Sequence, residues 1–162
     1  LDDVRHNLER IGVLLDRKQA AADVIAAMDQ GLADLAETPP GKRTAALYYA
    51  NGYTSGKDSL AGDMIARLGL VNIASEAGVD SLGRLPLERL IMAAPDVIIG
   101  GDTDYEAPAL AQAGFRHPAF VAATERSEYV NLPSRYSICG GPFNVAGIAL
   151  LAEELGGGGA DE

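Results

Sequence analysis

Residues 86–100 read Pro-Leu-Glu-Arg-Leu-Ile-Met-Ala-Ala-Pro-Asp-Val-Ile-Ile-Gly, and this stretch decides the fold. Its first part, from Pro86 to Ala93, is typical of a helix that carries proline in its first turn. Its second part, from Pro95 to Gly100, is a short apolar run that ends in glycine, a pattern typical of a buried strand. The stretch therefore predicts a helix that leads directly into a buried strand.

Strand and helix patterns alternate on both sides of this stretch. Upstream we predict a strand over 43–50, a helix over 59–68 and a strand over 70–74; downstream we predict short helices over 107–113 and 118–123, a strand over 129–132 and a helix over 143–155. Such alternation is typical of a parallel sheet that is covered by helices on both faces. The predicted fold class is α/β, a single three-layer lobe with a mainly parallel sheet.

The amino-terminal part of the chain, up to about residue 37, has helical periodicity, with apolar residues three and four positions apart. The residues Asp16-Arg17-Lys18 could divide this pattern into two helices, and Pro39-Pro40-Gly41 ends it. Glycines close the other end of the chain, from Gly156 onward. We therefore predict a helical segment at 1–38, an α/β lobe at 39–156 and a flexible tail at 157–162.

Composition and charge exclude several kinds of partner. The chain has 162 residues, is 48% apolar and carries a formal net charge of −10, so phosphate backbones and anionic lipid are poor partners and no nucleic acid is expected. Its single cysteine cannot form an intrachain disulfide and fits either an oxidising or a reducing compartment. Since the chain starts at Leu1 without a signal peptide, we expect the true start of the protein to lie upstream.

Three loops follow the carboxyl ends of predicted strands, where open α/β sheets bind ligands: 51–58, 101–106 and 133–142. The first and last carry tyrosines, Tyr53 and Tyr136, together with Arg135. Aromatic rings beside a few polar groups are the usual lining of a small-molecule pocket. The alternative is that both tyrosines simply cap the sheet edge and close the core.

Other candidate sites are weaker. The Gly52 to Lys57 segment superficially resembles a phosphate-binding loop, but the gap between its glycines is one residue too short, and Asp58 stands where that loop needs Ser or Thr. Cys139 could act as a nucleophile with His117 as its base, but a structural, half-buried thiol is the favoured interpretation, since free cysteine behaves mainly as a small hydrophobe. The histidines and the cysteine are too scattered to predict a metal site.

Four stretches of the sequence carry a family resemblance. The first is residues 10–17 with the alanine-rich helix that follows, and the second is 43–63, continued by 69–72. The third is 85–90, followed by 94–99. The fourth is the loop at 132–142, which reads Leu-Pro-Ser-Arg-Tyr-Ser-Ile-Cys-Gly-Gly-Pro. In this order they resemble the second half of class III periplasmic binding proteins, which serve ABC importers of iron-siderophores, haem and cobalamin. The likeness covers nearly the whole chain.

The resemblance implies one carboxy-terminal lobe preceded by a long inter-lobe helix, with the amino-terminal lobe missing. Members hold a metal-chelate ligand in the cleft between two lobes and deliver it to membrane permease subunits, which implies a periplasmic protein that is not an enzyme and needs no cofactor. The residues we expect to face the cleft are Tyr49, Asn51, Tyr53, Thr54, Arg135 and Tyr136.

Docking in this family uses one exposed glutamate per lobe, and Glu88 matches that position. Without the resemblance, Glu88 is an ordinary acidic residue in the first turn of a helix, where the macrodipole favours it. The alternative function is a small α/β hydrolase-like enzyme that uses Cys139 or a serine as its nucleophile, although the chain lacks a Gly-x-Ser-x-Gly elbow.

Overall fold

A computed structural model describes residues 1–35, 43–101 and 110–157 of the chain. Its helices are α1 (Asp2–Leu14), α2 (Lys18–Asp34), α3 (Leu60–Arg67), α4 (Leu87–Ala93), α5 (Pro118–Thr124) and α6 (Asn144–Gly157). Its strands are β1 (Thr44–Leu47), β2 (Tyr53–Ser55), β3 (Val71–Asn72), β4 (Leu82–Arg84), β5 (Val97–Gly100) and β6 (Glu128–Asn131). The predicted helix stop at 39–41, nearly all of the loop at 101–106 and nearly all of the tail lie outside the described residues.

Four strands form a parallel sheet in the order β3-β1-β5-β6. Alternate residues of its central strands enter two separate cores. Ala45 and Leu47 of β1 contact the core that contains α3 and α6, whereas Ala46 contacts the core that contains α4 and α5. The sheet is therefore covered on both faces, and the predicted α/β class with a mainly parallel sheet is confirmed.

The amino-terminal helical segment consists of two helices rather than one long helix. Asp16, between them, has a φ of 52°, a left-handed conformation that interrupts the helical hydrogen bonds. The helices approach closely, since a Cβ added at Gly12 would lie 2.5 Å from the Cβ of Ala21. The sequence pattern left this division open, and the conformation of Asp16 accounts for it.

A second, two-stranded sheet lies within segments that the sequence indicated only as loops. Strands β2 and β4 pair antiparallel, with Tyr53 opposite Arg84 and Ser55 opposite Leu82. Each has three residues, too short to display a period of two, so the pattern at 51–58 indicated a loop. The turn after β2 needs glycine, because a Cβ at Gly56 would lie 2.0 Å from the Val79 carbonyl oxygen.

The helix predicted over 107–113 differs from the structure. Residues 102–109 lie outside the described residues, and the part that is described is a 3₁₀ helix over Leu110–Arg116. Its Phe115 packs edge-on against Tyr48, with ring centroids 6.1 Å apart. Tertiary packing of this ring thus extends the helical segment beyond the boundary that the sequence indicated. Within the described residues, no helix combines the length and apolar character needed to cross a bilayer.

Candidate functional site

A cavity of about 430 Å³ lies at the carboxyl ends of β1, β5 and β6. In the strand order β3-β1-β5-β6, the chain leaves β1 toward one edge of the sheet and leaves β5 toward the other. Such a point of divergence is where open α/β sheets bind their ligands. The cavity is lined by Tyr49, Ala50, Ser55, Ser59, Leu60, Ala61, Leu82, Gly101, Phe115, Ser134, Ser137 and Ile138.

Tyr49 connects the loops on opposite sides of this cavity. Its backbone N–H donates to the Tyr53 carbonyl at 2.8 Å, which fixes the chain just after β1. Its side chain lines the cavity together with Ser55 and Ser137. Burial raises the pKa of Tyr49, and hydrogen bonding by the side chains of Ser55 and Ser137 lowers this pKa by less. The phenol is therefore neutral at physiological pH.

Gly101 lies beside the ring of Tyr49 in the wall of the cavity. A Cβ added at this glycine would lie 3.4 Å from Cδ1 of Tyr49 and 3.4 Å from Oγ of Ser134. These are ordinary contact distances, so the glycine leaves space for one further atom beside the tyrosine ring. The loop that follows β5 thus contributes backbone, and not a side chain, at this position.

The predicted ligand residues divide into three groups, and only Tyr49 lines the cavity. Tyr53 and Tyr136 lie outside the lining, and each is covered by an arginine: Arg84 is 5.1 Å from the ring centroid of Tyr53, and Arg135 is 4.5 Å from that of Tyr136. These two cation–π pairs stabilise the arginine positions at the protein surface.

Asn51 and Thr54 have other surroundings. Asn51 is exposed, has a φ of 59° and lines a separate cavity of about 500 Å³ beside α4. Thr54 is fully buried, and its hydroxyl donates to the Leu47 carbonyl at 2.5 Å. The side chain of Thr54 is therefore turned into the fold and away from the cavity, contrary to the expectation for a residue that faces a ligand.

Asn144 is the residue that sequence reasoning missed. It is fully buried; its Nδ2 donates to the carbonyls of Tyr136 and Cys139 at 2.7 and 3.0 Å, and its Oδ1 accepts from the Gly141 N–H at 2.7 Å. These bonds fix the loop that contributes Ser137 to the cavity. An asparagine at a helix start usually caps the turn that follows it, so its type and position did not indicate bonds to the preceding loop.

Cys139 and His117 are not arranged as a nucleophile and its base. Cys139 is exposed, and neither residue lines the cavity. Nδ1 of His117 accepts from the Ala119 N–H at 3.2 Å and so caps the start of α5. The residues that the structure describes also contain no cluster of acidic, histidine or cysteine side chains that could hold a metal ion.

Glu88 lies exposed in the first turn of α4. Burial raises the pKa of Tyr48, and the negative charge of Glu88 raises it further. Within the described part of the chain, Glu88 forms no ion pair. Its carboxylate is therefore accessible to a cation from outside the lobe.

Comparison with known proteins identifies the family. Residues 2–136 match a family model described as periplasmic binding protein. The chain belongs to the periplasmic binding protein family. This membership confirms the resemblance carried by the four sequence stretches, and the family is one of binding proteins rather than enzymes. A comparison with curated proteins finds no match.

Solved structures of periplasmic binding proteins share the fold. An ABC-type Fe3+-hydroxamate transport system from Saccharomonospora viridis is 24% identical, with a TM-score of 0.79 over 96% of this chain and 56% of that chain. The apo haem-binding protein RhuT from Roseiflexus sp. RS-1 is 22% identical, with a TM-score of 0.75 over 93% and 60%. The haem-binding protein HutB of Vibrio cholerae is 18% identical, with a TM-score of 0.73 over 91% and 60%. The chain thus spans under two thirds of the length of these structures.

Proposed function

We propose that this chain is one lobe of the solute-binding component of an ABC importer that captures a metal chelate. The observation that carries the proposal is the cavity at the carboxyl ends of β1, β5 and β6, lined by Tyr49 and by serine hydroxyls. Family membership supports a binding role. The similar structures name Fe3+-hydroxamate transport and haem binding, which supports iron-siderophore and haem ligands as candidate classes. Cobalamin is a candidate from the family resemblance alone.

A second lobe would provide the other wall of the site. The chain spans 56% and 60% of the length of two of its structural neighbours, which leaves room in such proteins for a further domain. With one wall present, much of a bound chelate stays in water. The isolated chain should therefore bind chelates weakly, and it should catalyse no turnover.

Delivery of the ligand would use Glu88. The exposed carboxylate on α4 is suited to pair with an arginine or lysine of a permease subunit. Exposed charges at the rim of an interface contribute mainly to association and orientation. A chain that docks on an importer in this way works outside the cytoplasm, so we propose an extracytoplasmic, periplasmic location.

A ligand screen tests the binding role. Calorimetric titration of the two-lobed protein with a ferric hydroxamate, haemin and cyanocobalamin should detect at least one complex. A Tyr49→Ala substitution should weaken that complex about tenfold or more, because it removes both ring contact and hydroxyl. Tyr129→Ala is the matched control, since Tyr129 packs on Phe120 outside the cavity. Absence of any complex, or equal losses in both variants, would contradict the proposal.

A further inference from the structure

Asn51 and Gly52 form the one Asn-Gly pair in the sequence. In such a pair the backbone nitrogen of the glycine can attack the side-chain carbonyl carbon of the asparagine, because glycine has no Cβ to obstruct the approach. A new C–N bond closes a cyclic imide, and the side-chain nitrogen leaves as ammonia with the proton of the glycine N–H. Water then opens the imide at either carbonyl, which gives aspartate or isoaspartate.

The turn that contains this pair has an uncommon backbone conformation. Asn51 is exposed and has a φ of 59° and a ψ of 18°, and Gly52, which follows it, has a φ of 70°. Two successive residues are therefore left-handed, a conformation that residues other than glycine adopt uncommonly. Intrinsic backbone preference does little to keep such a turn closed, so its hydrogen bonds must do so.

Three backbone hydrogen bonds hold the turn. The N–H of Tyr49 donates to the Tyr53 carbonyl at 2.8 Å, and the N–H of Leu85 donates to the Gly52 carbonyl at 2.9 Å. The N–H of Gly52, which carries the attacking nitrogen, donates to the Tyr49 carbonyl at 3.0 Å. The imide can therefore form only when the turn opens locally, and the local stability of the turn sets the rate of the reaction.

The other four asparagines are less suited to this reaction. Each precedes a larger apolar residue, which obstructs the attack; they are Asn7, Asn72, Asn131 and Asn144. Asn7 lies within α1 and Asn131 at the end of β6, so secondary structure fixes the backbone of both. The side chain of Asn72 donates to the Ser55 carbonyl at 2.8 Å, and Asn144 is fully buried.

We propose that Asn51 is the deamidation site of this chain, and that its conversion to isoaspartate disrupts the wall of the cavity. In isoaspartate the main chain runs through the former side chain and gains one atom. The turn is then longer, so the N–H of Tyr49 no longer meets the Tyr53 carbonyl. Because Tyr49 lines the cavity, this reaction limits how long the cavity keeps its shape. The inference does not depend on which ligand the cavity binds.

The test is to age the folded 162-residue chain in mildly alkaline buffer and to map its peptides by mass spectrometry, with an isoaspartyl methyltransferase to label isoaspartate. We expect Asn51 to be converted about tenfold faster, or more, than any other asparagine, with isoaspartate among the products. In a concentration of urea that unfolds the chain, Asn51 should be converted several times faster, because the turn is then open.

Asn51→Gly is the matched control. Glycine adopts the left-handed conformation readily and has no side-chain amide, so this variant should keep the turn and show no change of mass in the same peptide. Aged chains can be separated by anion exchange, because deamidation adds one negative charge to a formal net charge of −10.

Amide hydrogen exchange measures the effect on the cavity. In the isoaspartate fraction the N–H of Tyr49 should exchange about tenfold faster, or more, than in the fresh chain. The N–H of Ile73, which donates to the Ala45 carbonyl at 3.0 Å in the parallel sheet, is the internal reference and should be unchanged. In Asn51→Gly aged in the same way, the exchange of Tyr49 should equal that of the fresh variant.

Each part of the proposal can fail separately. Faster conversion of another asparagine would overturn the assignment of the site, and so would an Asn51 that stays intact in the folded chain while the unfolded chain is converted. Equal rates with and without urea would overturn the role of the turn's hydrogen bonds. Equal protection of the Tyr49 N–H in the fresh chain and the isoaspartate fraction would overturn the effect on the cavity.

Discussion

Replacing Asn144 by alanine removes three hydrogen bonds that fix the loop beside the cavity. Asn144 is fully buried, so water does not readily replace these bonds with the carbonyls of Tyr136 and Cys139 and the N–H of Gly141. A typical intramolecular hydrogen bond contributes about 1 kcal/mol net, and an unsatisfied buried group costs about 1–3 kcal/mol. We therefore expect Asn144→Ala to lower the free energy of unfolding by about 3 kcal/mol.

Urea denaturation followed by far-UV circular dichroism measures this change, since the chain has no tryptophan. Ser75→Ala is the control, because the hydroxyl of Ser75 is buried and has no hydrogen-bond partner among the described residues. Removing an unpartnered hydroxyl should leave stability unchanged or raise it slightly. A loss below about 1 kcal/mol for Asn144→Ala, or an equal loss in the control, would refute the hydrogen-bond argument.

Three further predictions follow from single contacts. Thr54→Val keeps the side-chain shape but removes the bond to the Leu47 carbonyl, so the urea-measured stability should fall by about 1–2 kcal/mol; an unchanged value would contradict this. Glu88→Ala should change the free energy of unfolding by less than ~0.5 kcal/mol. In the two-lobed protein it should weaken co-sedimentation with permease vesicles and leave chelate affinity intact. A lobe that is destabilised but still docks would contradict the docking role. The backbone N–H and then the hydroxyl of Thr44 lower the pKa of Asp96 in the folded chain. The stability that this carboxylate contributes near neutral pH is therefore lost as the pH falls below its ordinary pKa near ~4, toward the lowered folded-state pKa. Urea midpoints between about pH 6 and about pH 3 should therefore decline less steeply in Asp96→Asn than in the parent chain, and parallel curves would exclude this linkage.

The parallel sheet could be predicted from the sequence because its strands are short apolar runs bounded by turn residues. The run at Val97–Gly100 is fully buried on both faces, as its continuous apolar character indicated. The β2–β4 pair could not be predicted, because three-residue strands show no period and their pairing depends on the close approach of Gly56 to Val79. The division of the first helical segment depends on the φ of Asp16, which the sequence permitted but did not require.

The candidate cavity lies among the predicted loops, but few of the predicted residues line it. The rule that ligands bind at the carboxyl ends of parallel strands indicated three loops, and Ser55, Gly101 and Ser137 from these loops line the cavity beside Tyr49. Thr54 was expected to face the cleft from the family resemblance, whereas strand pairing turns its side chain inward. The serine hydroxyls and Asn144 were missed because residue type does not indicate which way a polar side chain in a loop or at a helix start faces.

The strand order also has a consequence for how this chain folds. The central strand β1 pairs with β3 through Thr44 and Val71 and with β5 through Leu47 and Ile99, so each pairing closes a long segment of chain. Non-local pairings of this kind slow folding, because the entropy of loop closure is lost before the contacts form. During synthesis, one edge of β1 therefore lacks its partner until residue 99 has been made. Until then this unpaired edge is open to pairing with another chain, so aggregation of the nascent chain competes with folding.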